Sequence, residues 1–213
     1  MRIDWSGSAA RALSYSCFLR PVRECLVCFL LPQAAVRAIR RHRPKSAIPR
    51  LRAPGYFFLN AAQGWLELGN PAEARRELDH IATVMRGHPD VLFLRWEIYA
   101  RSKSWKRALA VARTLTARAP DDPRAWIALA RSVQQTGQVQ KAYTTLAGCV
   151  VDFPGSWELL ADTAAYAHLC GKEREAERYL TLALAVGDPD QVKRRILAQA
   201  GLAGFWNRVT QQR

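Results

Sequence analysis

The sequence has no Asn-x-Ser/Thr triplet, no G-x-x-x-x-G-K-[ST], no G-x-G-x-x-G and no H-E-x-x-H. These absences remove the common phosphate-cradling loops and the zinc-protease helix as sources of chemistry. Long apolar runs are also lacking. The longest spans residues 25–31, far short of the roughly 20 residues that cross a bilayer, so no transmembrane helix is expected. The cysteines are Cys17, Cys25, Cys28, Cys149 and Cys170, an odd and scattered set that forms no disulfide framework. Cys25 and Cys28 make a lone C-x-x-C without a second pair or spaced histidines, which is a weak metal signal. No metal and no cofactor are expected, and a reducing, cytoplasmic compartment is favoured.

Acid is scarce at one end. Residues 1–55 hold 11 basic and 2 acidic side chains, and residues 56–213 hold 21 and 16, within a total formal charge of +14. Such asymmetry suggests a basic arm on an ordinary globular body. We read residues 1–54 as a basic, poorly ordered N-terminal segment. Three readings of it stay open: a non-essential segment, including translated sequence ahead of a later start; a targeting segment, since it is rich in Arg and Ser; or a binding arm. In the last case Arg37, Arg40, Arg41, Arg43, Lys45, Arg50 and Arg52 would meet nucleic acid or another acidic surface. One phosphate contact from each would give a log–log salt slope of about −6 by the duplex counterion rule. No aromatic is interleaved among them, so base stacking is not indicated.

What the rest of the chain has is a repeat. Gly69, Lys103, Gly137 and Gly171 are spaced 34 apart, as are Ala74, Ala108, Ala142 and Ala176. Leu78, Ala112, Leu146 and Leu180 form a third column, and Ile81, Leu115, Cys149 and Ala183 a fourth. Each unit reads as two amphipathic helices. Asp122-Pro123 opens one, Trp126, Leu129, Ala130 and Val133 recur at helical spacing, and Gly137 ends it. Small residues early in each second helix let two backbones approach, and stacked neighbours bury what one hairpin cannot. The regular placement of Trp65, Trp96, Trp105, Trp126 and Trp157 suggests core positions. Glu173, Glu175 and Glu177 around Arg174 and Arg178 suggest pairing within one helix. Asp188-Pro189-Asp190 opens a further helix bearing Arg194 and Arg195, and Phe205-Trp206 sits in a short last one. Both read as a cap, with a partner contact the other reading of Arg194 and Arg195.

These columns, with Pro120 and Pro154 near unit ends, resemble the tetratricopeptide repeat (TPR) family over residues 55–190, and the run 59–69 resembles a bacterial subgroup of it. Lys103 departs from the usual turn glycine and Arg86 from the usual proline. The resemblance implies an all-α, right-handed α-solenoid of four helix hairpins, closed by a capping region at 191–213. It also implies a non-catalytic scaffold or adaptor that binds a protein or peptide partner in a groove lined by the first helix of every unit. By helical phase the inward residues are Tyr56, Leu59, Gln63 and Leu66; Phe93, Glu97 and Arg101; Arg124, Ile127, Arg131 and Gln135; and Glu158, Ala161, Ala165 and His168. A peptide with one apolar anchor and a carboxylate would suit this lining, since arginine holds a carboxylate with two hydrogen bonds. Leu59 and Gln63 stand where carboxylate-clamp members of the family have Lys and Asn, so that subtype is excluded.

Overall fold

The computed structural model describes residues 51, 53–199 and 201–211, all within the compact unit Ser46–Arg213. Arg37, Arg40, Arg41, Arg43, Lys45, Arg50 and Arg52 lie outside the described residues, as do Cys25 and Cys28. The described residues form ten α-helices and no strand: α1 Gly55–Glu67, α2 Pro71–Asp79, α3 Pro89–Arg101, α4 Trp105–Arg118, α5 Pro123–Gln135, α6 Val139–Cys149, α7 Trp157–Leu169, α8 Glu173–Val186, α9 Pro189–Leu197 and α10 Ala203–Gln211. One 3-10 turn, Thr83–Met85, joins α2 to α3. The order is that of four helix hairpins followed by two extra helices. Each even helix from α2 to α6 packs between its own odd partner and the next odd helix, and consecutive odd helices touch one another from α1 to α7.

Local chemistry sets the helix ends. Pro71, Pro89, Pro123 and Pro189 each occupy a first helical position, where a missing N–H is harmless. Asn70 accepts from the Glu73 amide at 3.3 Å and Asp122 from the Arg124 amide at 2.9 Å. His88 caps α3 with an imidazole nitrogen that accepts from the Asp90 amide at 3.3 Å. At the hairpin turns Gly69, Gly137 and Gly171 have φ of 79°, 86° and 74°. A Cβ there would meet nothing within 4 Å, so the left-handed backbone and not crowding explains the glycine. Lys103, at φ 54°, takes the same conformation with a side chain. The second departure also has a physical account. Arg86 donates to the main-chain oxygens of Asp79 at 2.8 Å and Ile81 at 3.1 Å, satisfying carbonyls that the end of α2 leaves open.

The repeat columns form the core. Ala74, Ala108, Ala142 and Ala176 are all 0% exposed, and Leu78, Ala112, Leu146 and Leu180 share that value. Packing is unequal along the stack. One large cluster joins α5 to α10 and includes Tyr166, Leu202, Phe205 and Trp206. Two smaller ones serve α1–α3 and α3–α5. Between α3 and α5 the joint is partly polar: Trp96 Nε1 donates to Ser132 Oγ at 2.8 Å, and Ser132 Oγ donates to the Ala128 carbonyl at 2.8 Å.

Two expectations are corrected in part. Of the tryptophans expected in the core, Trp96, Trp126 and Trp157 are half-buried and pack against the core clusters, whereas Trp65 is 39% exposed. Trp96 and Trp126 lie at helix seams because each indole N–H finds an acceptor there, Ser132 Oγ and the Pro120 carbonyl. The α8 carboxylates mostly reach other helices instead of Arg174 and Arg178. Glu173 pairs with Arg208 of α10 at 2.7 Å and with His168 of α7 at 2.9 Å. Glu175 accepts from the Tyr143 hydroxyl of α6, and its other partner is Lys172 at 3.5 Å.

Candidate binding groove

One side of the stack carries a groove of about 750 Å³. Its walls come from the odd helices α1, α3 and α5, the start of α7, and Arg195 of α9; no residue of α2, α4, α6 or α8 lines it. Leu59 and Gln63, Phe93 and Glu97, and Arg124, Ile127 and Arg131 meet there, joined by Glu158. They converge because residues three or four apart share one face of a helix, and the odd helices lie side by side.

The floor is apolar at Leu59, Phe93, Leu94, Ile127 and Ala128. Charge is arranged around it in pairs. The Arg124 guanidinium lies 4.5 Å from the centre of the Phe93 ring and holds Asp122, with Nη2 to Oδ2 at 2.7 Å and Nε to Oδ1 at 3.1 Å. That hydrogen bond raises the Arg124 pKa above the ordinary arginine value; burial opposes it, and the charges of Asp122 and Asp90 add to it. Asp122 thus serves twice, as the cap of α5 and as the anchor of Arg124.

At the far end Arg195 makes a two-pronged ion pair with Asp162 of α7, both contacts at 2.8 Å. The Asp162 side chain is 6% exposed. Burial works against the Arg195 charge, but Asp162, Glu158 and Tyr166 outweigh it and hold its pKa above the ordinary value. Arg195 is therefore a tie between the cap and the fourth hairpin, whereas Arg194 is exposed. Arg131 differs from both: it is exposed and makes no hydrogen bond or ion pair with described residues.

Other residues of the expected lining lie elsewhere. Tyr56 is 52% exposed near the start of α1, edge-on to Phe57. Arg101 reaches across to the Leu66 carbonyl at 2.5 Å and to Glu97 at 2.9 Å, tying α3 to α1. Gln135 is exposed at the end of α5, and Leu66, Ala161 and Ala165 are buried. His168 stacks on Phe205 of α10 with centres 4.6 Å apart, because the last helix covers the end of α7. The lining also includes Asp90, Leu94, Trp96, Asp122, Pro123, Ala128, Ser156 and Arg195, none of them among the expected inward residues. Asp122 had a usable signal as the cap before Pro123. Arg195 had none, since its partner Asp162 is 33 positions away.

Among the described residues no group of three or more His, Cys, Asp or Glu could hold a metal ion, and no helix is long and apolar enough to cross a membrane. The tetratricopeptide repeat family model matches residues 65–132. No curated protein matches the chain in sequence. Among solved structures, a thermophilic TPR protein of Thermus thermophilus, TTC0263, is 19% identical, with a TM-score of 0.58 over 67% of this chain and 79% of that one. A MamA double mutant, from RS-1, is 17% identical, with a TM-score of 0.55 over 72% and 90%. A putative kinesin light chain of Podospora anserina with nearly identical TPR-like repeats is 18% identical, with a TM-score of 0.54 over 76% and 95%. At these identities the likeness is one of fold. The family match over residues 65–132, the 34-residue columns and the hairpin stack agree on a helical repeat fold of the tetratricopeptide type.

Proposed function

We propose that the chain is a non-catalytic scaffold or adaptor of the cytoplasm, and that its groove binds an extended segment of a protein partner. The observation that carries this reading is the contrast inside the groove. Arg124 and Arg195 already hold carboxylates, while Arg131 stands exposed beside Ile127 without one. A partner segment would place an apolar side chain on Phe93 and Ile127 and a carboxylate on the Arg131 fork. Such charge-assisted pairs fix register as well as adding affinity.

Arg131→Glu tests it. The side chain is exposed and holds nothing, so the fold should melt unchanged, within about 0.5 kcal/mol. Proteins captured at low salt by the full chain should be lost from this variant and from Phe93→Ala. Capture that is indifferent to both changes would place binding outside the groove. Arg101→Glu is a poor probe, because it would also cut the tie to Leu66.

A further inference from the structure

The surplus charge of the folded body is not spread evenly. Residues 98–151 hold 9 basic and 2 acidic side chains, residues 56–97 hold 4 and 6, and residues 152–213 hold 8 and 8. The middle hairpins therefore carry all of the excess. Neither α4 nor α6 contains a single Asp or Glu. Lys103, Lys106, Arg107, Arg113 and Arg118 are all exposed, and none pairs with a carboxylate among the described residues. The last four share one face of α4, within an arc of roughly 140° at 100° per residue, and Lys103 sits just before its start. Between them lie only Ala110, Thr114 and Ala117, also exposed. This face lies away from the groove, to which α4 contributes nothing.

We infer that the outer face of α4 is a docking site for the phosphate backbone of a nucleic-acid duplex, read without regard to sequence. From Lys106 to Arg118 the helix rises about 18 Å, long enough to meet several phosphates of one strand. Small neutral residues between the cations let a backbone lie close. The face has no aromatic side chain to stack on a base and no large apolar one to enter a bilayer. A broad anionic surface fits less well. In the 34-residue register, Glu73 and Asp79 of the preceding even helix α2 stand where α4 has Arg107 and Arg113, and Glu175 of α8 stands two repeats after Arg107. A flat membrane would meet these carboxylates, whereas a narrow strand along α4 avoids them. The site is independent of the proposed groove and of the basic residues before 55.

The test uses the full chain and a short mixed-sequence DNA duplex, with affinity followed against salt. In Lys106→Gln/Arg107→Gln/Arg113→Gln the log–log slope should fall by about 3, one per lost phosphate contact, with the melting temperature kept. The control, Arg75→Gln/Arg174→Gln/Arg178→Gln, removes equal charge from the acid-bearing helices and should change the slope by less than about 1. Residues 1–55 are present in every variant, so the differences isolate α4. The inference fails if the full chain does not bind the duplex, if the α4 variant keeps its slope, or if both variants lose equally. It also fails if phosphatidylserine vesicles, and not the duplex, report the loss.

Discussion

The groove and the outer face of α4 use the same side chains in opposite ways. In the groove Arg124 and Arg195 are each held by a carboxylate, and Arg131 alone among the lining arginines is not. Outside, Lys106, Arg107, Arg113 and Arg118 share one helix face with no acid on that helix. Net charge says nothing of this, since the folded part is only +5 over 56–213. What decides the role of an arginine is whether the fold supplies its counter-charge. A held arginine orders the structure, and one left alone is available to something else.

The largest effect is expected at the most buried pair. Asp162→Ala leaves Arg195 without its partner and should destabilise by about 3 kcal/mol. Asp162→Ala/Arg195→Met should recover most of that in thermal melts, because the uncompensated charge is gone. Next, Ala142→Leu should cost about 2 kcal/mol by overpacking a position that is 0% exposed, and an unchanged melting temperature would contradict the hairpin contact. Asp122→Ala should cost about 1 kcal/mol through the lost cap of α5, while freeing Arg124 for a ligand. Lys103→Gly should stabilise by roughly 1 kcal/mol in denaturant titration, since a lysine there holds a left-handed backbone. Smallest of all, Arg113→Gln should shift stability by less than about 0.5 kcal/mol, as befits a charge that the fold does not use.

The hairpins were legible because a solenoid repeats its contacts at a fixed spacing. Ala142 and Leu146 show their roles through Ala108, Ala112 and the other copies. The groove was legible where an odd helix has one apolar and one polar side, as α3 and α5 do. It failed at α7, where residues 159–167 are all buried and no polar face sets the phase. His168 was misplaced for a related reason: α10 closes over the last hairpin, and nothing in the repeat announces that contact. Lys103 and Arg86, which break the family pattern, turned out to fill the same conformational or capping tasks by other means. Trp96, Trp126 and Trp157 do pack on the core, but at helix seams, because spacing reports the seam and not the depth.

If a protein partner lies on the odd-helix side and not on the α4 side, the two faces should crosslink differently. Photo-crosslinking separates the two, with p-benzoylphenylalanine placed at Phe93 in one variant and at Ala110 in another. Position 93 should give a protein adduct that maps to one segment of one partner and is suppressed by Arg131→Glu, and position 110 should give none. A protein adduct from position 110 with none from position 93 would put the partner on the α4 side instead.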